Sequence, residues 1–554
     1  MWHELFCVAY ARLLIGRFVV DWERNPAECF RMSELEGNTS RRSFLTKAAG
    51  AALATTLPSA AQSAVQPPLA ATKRSAAIAT RKRPLNVLFF MSDDMRTELA
   101  CYGSRFNIHS PNIDALGARG VRFDRNYCQF PLCNPSRSSL FTGHLPRETG
   151  VLGNTAAVVK THPEWITLPH LFRQNGYTTL RSGKLFHAGL DDSQAWSDFD
   201  GDVESMHPTT VGMKMEIPRA QIPMPSGALP ALPQDTARAA HSDEILVLEG
   251  NGEGAGDYMV ADRAIKFLKQ VAADPDKPFF IGCGFSKPHS PPQAPQRFFD
   301  MYDPEKIQLP PNFAAWPTVP AGWPKAAIRP RNADLFIGRG ASESEAREVI
   351  RAYLASISWA DWNLGRVVAE LERLKLRDNT VIVFVADHGY QLGENGKWSK
   401  AGSLFEGSTR VPLIIDVPAQ TMPNAKGNGR ACTRTVQSLD LYRTLCELAH
   451  LDVRAGVEGT SLVPLLHNPR GQWEQPAFSI WSEDGTSIHG TAIRTEQWRY
   501  AEYGKDAANG ALLFDVHADP MELHNLADDP RHQPTRAELS KLIAAYSYPS
   551  ASAV

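Results

Sequence analysis

The stretch Cys133-Asn134-Pro135-Ser136-Arg137 sets a thiol and a guanidinium at the start of a short helix. Asn134 reads as the N-cap, because its side-chain oxygen can accept from free helical amides, and Pro135 suits the first helical position. Gly143 supplies a left-handed stop about two turns later. A thiol just ahead of a helix N-terminus lies in a field that favours thiolate and attracts anions. Arg137, on the first turn, can reach the same anion with a planar fork of donors. The plainer alternative is a capped surface helix with an incidental cysteine.

Two other stretches put carboxylates where buried strands end. The apolar run 86–91 leads into Ser92-Asp93-Asp94, and the run 380–386 leads into Asp387-His388-Gly389. Ligands of open α/β sheets bind at the carboxyl ends of strands. Like charges side by side there need a cation; an oxygen-rich set argues for Ca²⁺ or Mg²⁺ over zinc, and a tolerant geometry built from loops favours Ca²⁺. Two further strand candidates, 178–181 and 278–285, deliver Gly183-Lys184-Leu185-Phe186-His187 and Ser286-Lys287-Pro288-His289. Gly393-Glu394-Asn395-Gly396-Lys397-Trp398-Ser399-Lys400 follows soon after Asp387.

Cys133-x-Pro-Ser-Arg137 followed by Ser-Leu-Phe-Thr-Gly143 resembles the sulfatase signature, and Ser110-Pro-Asn-Ile-Asp-Ala-Leu116 resembles the N-terminal region of that family. Asp387-His388-Gly389, Leu392-Gly-Glu394 and Trp398-Ser-Lys400, in this order, resemble the iduronate-2-sulfatase-like branch. The likeness runs from about residue 84 to the C-terminus, where Leu513-Phe514-Asp515, Asp519-Pro520-Met521-Glu522 and Asn525-Leu526 resemble a closing signature. It implies an alkaline phosphatase-like fold and oxidation of Cys133 to formylglycine by a dedicated maturation enzyme. The aldehyde hydrate would be the nucleophile in hydrolysis of a sulfate ester, that of a sulfated carbohydrate. Asp93, Asp94, Asp387, His388 and the oxidised Cys133 would surround the cation. Arg137, Lys184 and Lys400, rather than Lys397, would offset charge on the sulfuryl oxygens. His289 would protonate the departing alcohol, Asp387 would serve as base, and His187 would accept the proton of the release step. Lys184, His289 and Lys400 would also contact substrate.

The expected fold class is α/β. Residues 84–466 would form a large catalytic domain with a mostly parallel central sheet flanked by helices. Residues 474–554 would form a smaller C-terminal α+β subdomain with an antiparallel sheet, closed by a helix over 535–546. Residues 188–256 carry little periodicity and read as loops around a pocket mouth. With 43% hydrophobic and 21% charged residues the 554-residue chain is globular. A formal charge of -2 gives no global basic field for nucleic acid. The eight cysteines make neither a disulfide scaffold nor a Cys-x-x-Cys metal site. Ser40-Arg41-Arg42-Ser43-Phe44-Leu45, an apolar stretch 48–57 and alanine-rich sequence at 59–64 form a twin-arginine pattern within residues 1–83. It predicts export to the periplasm or beyond through the twin-arginine machinery, with translation starting at Met32. Two alternatives stand beside the sulfatase reading: a phosphate or phosphonate ester hydrolase of the same superfamily, and an exported glycan-binding protein with an unmodified cysteine.

Overall fold

In the apolar runs, successive residues belong to opposite cores. Leu88 and Phe90 pack with Ile382, Phe384, Ile281 and Phe285 on one side, while Val87, Phe89 and Met91 pack with Val381, Val383 and Val385 on the other. A strand with both faces covered needs unbroken hydrophobicity, which is why these runs do not alternate with polar residues. This computed structural model describes residues 84–547 apart from 200–211, 227–228, 230–238, 240–242 and 424. The twin-arginine stretch therefore lies outside the described residues.

In chain order the first strands are β1 (Asn86–Asp93), β2 (Val121–Tyr127), β3 (Thr178–Gly183), β4 (Asp198–Phe199), β5 (Gly212–Met215), β6 (Ile245–Leu248), β7 (Phe279–Pro288) and β8 (Gln293–Pro295). They are followed by β9 (Thr380–Ala386), β10 (Arg410–Val411), β11 (Leu413–Asp416), β12 (Arg430–Gln437), β13 (Ala477–Trp481), β14 (Gly490–Arg494), β15 (Trp498–Tyr503) and β16 (Ala511–Asp515). The large sheet runs β10-β2-β11-β9-β1-β7-β3-β4, with β12 beside β2. Its centre, β4-β3-β7-β1-β9, is parallel throughout, and β11 is antiparallel to both β9 and β2. The helices Gly256–Ala272 and Glu343–Arg373 cover one face. Leu168–Gln174, Asp440–Ala449 and the apolar side of Cys133–Thr142 cover the other. This is the expected α/β plan.

Strands β13-β14-β15-β16 form the expected antiparallel C-terminal sheet, and the helix Gln533–Ser547 lays Leu539 and Ile543 against its Ile493 and Leu513. That sheet also buttresses the large one. Arg494 of β14 and Arg499 of β15 clasp the Glu406 carboxylate at 2.8 and 2.7 Å. The turn holding Glu406 accepts the backbone N–H groups of Gly389 and Tyr390, just beyond Asp387-His388.

Two features differ from expectation. Part of 188–256 is strand, since β5 and β6 pair and β6 adds to β8 to form a small third sheet. These strands are four residues or fewer and β6 is only half buried at its centre, too short to leave a period-2 pattern. Strand β16 covers the stretch whose sequence reads only as the closing motif Leu513-Phe514-Asp515. Among the described residues all six cysteines are free thiols.

Candidate active site

Four neighbouring parallel strands, β3, β7, β1 and β9, release their chains at the same edge of the sheet, and each release carries reactive side chains. β1 ends on Asp93 and continues into Asp94; β9 is followed by Asp387 and His388; β3 by Lys184 and His187; β7 by His289. The register of β1 on β7 slips at Ser92/Asp93, so that Asp93 lies opposite Pro288. Asp94 turns away in the left-handed region at φ 65°, a conformation that aspartate tolerates better than most residues. Strands β3 and β7 approach closely at their ends. A Cβ on Gly284 would stand 2.0 Å from the Lys184 carbonyl oxygen, so only glycine lets Lys184 leave the sheet here.

The fifth contribution comes from the helix that starts at Cys133, the first residue of Cys133–Thr142, after an extended Leu132. Asn134 is not the cap. Its carboxamide donates to the carbonyls of Gly153 and Ala156, and its own N–H donates to Asn154 Oδ1. Those loop carbonyls claim the carboxamide in place of helix capping, and the side chain serves to pin the loop 153–156 beside Cys133. Gly143 stops the helix at φ 70°, as expected.

At the centre, Cys133 Sγ is 3.6 Å from Asp93 Oδ1 and 3.3 Å from His388 Nε2. His388 Nε2 is 3.4 Å from Asp387 Oδ2, and its Nδ1 is 3.2 Å from Asp94 Oδ1. Asp93, Cys133, Asp387 and His388 are buried and offer ligand atoms that all lie within 4.8 Å of one another. Asp94 Oδ1 is buried without an aligned hydrogen-bond donor. Burial works to raise the Asp93 and Asp94 carboxyls, yet both stay below the usual range. Lys184 and His289 outweigh it at Asp93, and Lys400 and His289 at Asp94. At Asp387 burial prevails over Arg137 and lifts the carboxyl. Burial alone would depress His388, but Asp387 and its other anionic neighbours push it well above the ordinary value.

Cations ring these carboxylates. Lys184 Nζ is 2.7 Å from Asp93 Oδ2. Arg137 is fully buried, and its fork closes first on the protein itself rather than standing open to an anion. Nε donates to Asp387 Oδ2 at 2.8 Å, and Nη1 donates to the Lys184 and Leu185 carbonyls at 2.6 and 2.9 Å. Nη2 stands 3.3 Å from Asp93 Oδ2 without an aligned hydrogen bond. Lys400 Nζ lies between Asp94 Oδ2 at 3.1 Å and Asp334 Oδ1 at 3.3 Å; despite burial, Asp334 and Asp94 keep it protonated. Lys397 goes elsewhere, its Nζ donating to the carbonyls of Arg329 and Arg331.

His289 Nε2 is 3.8 Å from Asp94 Oδ2, and burial together with Lys400 holds its pKa down at about 4. His187 is half-buried with an unpartnered Nδ1, and burial and Lys184 hold it at about 3. The structure thus brings every sequence-predicted residue to one centre. It adds Asp334, which sequence reasoning missed because Ala333-Asp334-Leu335 sits in a loop without periodicity or a flanking strand. Replacing Asp334 by Asn should cost ~10–100-fold in kcat/KM by freeing Lys400 to lean on Asp94 alone, with little change in thermal midpoint. Steady-state kinetics beside a melting curve check this.

Residues 85–451 match the family model Sulfatase. The chain belongs to the sulfatase family. Residues 393–548 also match the model for the C-terminal part of N-sulphoglucosamine sulphohydrolase. Iduronate 2-sulfatase of Mus musculus is 31% identical over 528 residues, which cover 81% of this chain and 92% of that protein. Among solved structures, one in complex with its substrate D-glucosamine-2-N,6-O-disulfate aligns with a TM-score of 0.62 at 22% identity, covering 84% of this chain and 98% of that one. The phosphonate monoester hydrolase of Agrobacterium radiobacter aligns with a TM-score of 0.63 at 22% identity, covering 84% and 95%. Both structural likenesses speak to the shared alkaline phosphatase-like fold.

Proposed function

We propose that this sulfatase hydrolyses a sulfate ester of a sulfated carbohydrate, using a formylglycine formed from Cys133 and one divalent cation, Ca²⁺ before Mg²⁺. The observation that carries the reading is the meeting of Cys133 Sγ with Asp93, Asp387 and His388 inside a ring of Arg137, Lys184 and Lys400. The donor set fits a hard cation: one imidazole and three buried carboxylates, of which Asp94 presents an Oδ1 without an aligned donor. When bound, the cation and the hydrated aldehyde supply an acidified hydroxyl for attack on sulfur and a second hydroxyl through which sulfate can leave.

The chain's own groups do the rest. Asp387, lifted above an ordinary carboxyl by burial, takes the proton of the attacking hydroxyl. Lys184, Lys400 and Arg137 Nη2 oppose the charge on the sulfuryl oxygens. An anionic ester beside His289 favours its imidazolium form, and Nε2 then protonates the departing alcohol. His187, held neutral, accepts the proton of the release step at Nδ1.

The test is turnover of an aryl sulfate against an aryl phosphate by protein made together with a formylglycine-generating enzyme. The Cys133 peptide is weighed in parallel and should be about 18 Da lighter than its thiol form. Preference for the phosphate supports the phosphonate-hydrolase reading, which rests on shared fold, and overturns this one. So does full activity with an intact thiol. Calcium should also stabilise the fold: at about 100 times its Kd the gain is about 2.7 kcal/mol, read as a higher melting temperature that EDTA reverses. The twin-arginine stretch supports export of the folded protein, and the N-terminus of mature protein should then lie near residues 59–64.

A further inference from the structure

Lys287 is a buried lysine that makes no ion pair among the described residues, yet it stands beside the active site. Its Nζ donates to the carbonyls of His289 at 2.8 Å and Pro291 at 2.9 Å. The carbonyl between them, that of Ser290, accepts from His289 Nδ1 at 2.7 Å. A carbonyl only accepts, so Nδ1 must carry the proton in this contact. With alternate carbonyls drawn onto the ammonium, the middle one is turned back to the imidazole, and Nε2 is left facing Asp94 Oδ2 at 3.8 Å.

The lysine is itself fixed. Asp257, at the start of the helix Gly256–Ala272, accepts from the N–H groups of Ser286 and Lys287 at 2.8 and 3.0 Å and from Ser286 Oγ at 2.9 Å. His289 N–H donates to Ser286 O at 3.0 Å and closes the turn. An uncharged stem of the same length would leave two half-buried carbonyls bare, so the ammonium is the natural hub for this loop.

We propose that Lys287 is the positioning residue for His289: by taking the carbonyls on either side of Ser290 it fixes the Nδ1–H tautomer and aims Nε2 at the leaving-group oxygen. The proposal rests on the sulfatase reading for what leaves, but the tautomer is a property of the loop alone.

The test compares 4-nitrophenyl sulfate, whose leaving group needs no proton, with an alkyl sulfate, whose leaving group does. Lys287→Met should lose ~100-fold or more in kcat/KM on the alkyl ester and ~10-fold or less on the nitrophenyl ester. The double variant Lys287→Met/His289→Ala should be no slower than His289→Ala alone. Equal losses on both esters, or additive losses in the double variant, overturn the proposal. Should Lys287→Met not fold, Lys287→Gln keeps the loop polar, but its amide nitrogen sits one atom nearer the backbone and does not bridge both carbonyls. In protein labelled with ¹⁵N-histidine, the His289 resonances should show Nδ1 protonated in the wild type and a mixed tautomer in Lys287→Gln. An unchanged tautomer overturns the proposal even if neither ester is turned over, an outcome that would count separately against the sulfatase reading.

Discussion

A Cys133→Ser protein should take up one sulfuryl group per chain and then stop, with steady-state turnover down by at least ~10⁴-fold. Serine keeps an oxygen nucleophile beside Asp93 and His388, within the same ring of cations. Its Oγ can form a bond to sulfur as the S–O bond to the alcohol breaks, and the alcohol leaves with a proton. The resulting serine sulfate has no second hydroxyl on its carbon, so nothing internal can expel sulfate. Intact mass should rise by about 80 Da after incubation with substrate, and Cys133→Ala should neither gain mass nor turn over. Both variants should fold, because Sγ contributes only long contacts of 3.3 and 3.6 Å, and their stability should stay within about 1 kcal/mol of the parent. Sustained turnover by either variant would remove residue 133 from the chemistry, whatever the surrounding carboxylates do.

Legibility in the sequence followed burial. Strands β1, β7 and β9 announce themselves because both faces are covered, and no polar residue interrupts them until the chemistry begins. The abrupt change from Val-Phe-Val-Ala to Asp387-His388 is therefore readable both as a strand end and as a site. Four such ends lie side by side because β3, β7, β1 and β9 are parallel neighbours, and that adjacency is a property of topology, not of any local pattern. Asp334 was invisible for the same reason. It reaches Lys400 only because Lys397 and Asn332 stitch the segment 329–335 to residues 396–398, through the carbonyls of Arg329, Arg331 and Gly396 and the Trp398 N–H. Asn134 reads as a cap because capping is a local preference, whereas the carbonyls that claim its amide lie about 20 residues along the chain. The sequence shows half of the role of Arg137: its place on the helix is clear, but how many of its donors are already committed depends on where Asp387 and Lys184 arrive.

That commitment makes Arg137→Lys the most informative charge-preserving change. The guanidinium, itself fully buried, touches Asp387 Oδ2, the Lys184 and Leu185 carbonyls and, through Nη2, Asp93. An ammonium on a lysine stem is a single point with three donors, and it cannot reach both carboxylates and both carbonyls at once. Left behind are a buried carbonyl or two, at about 1–3 kcal/mol each, and a carboxylate pair without its bridge. The expected result is a loss of at least ~10³-fold in kcat/KM together with a lower melting temperature, whereas Cys133→Ala loses activity alone. Calcium should distinguish the two roles of the fork. If Arg137 mainly holds Asp93 and Asp387 apart at the spacing a cation needs, the variant should bind calcium more weakly, and excess calcium should restore part of the stability but little of the rate. If it acted only on the sulfuryl oxygens, calcium affinity and melting temperature would be those of the wild type and the whole effect would sit in kcat. The three hydrogen bonds within the protein favour the first outcome, with Nη2 the one group left to serve the second.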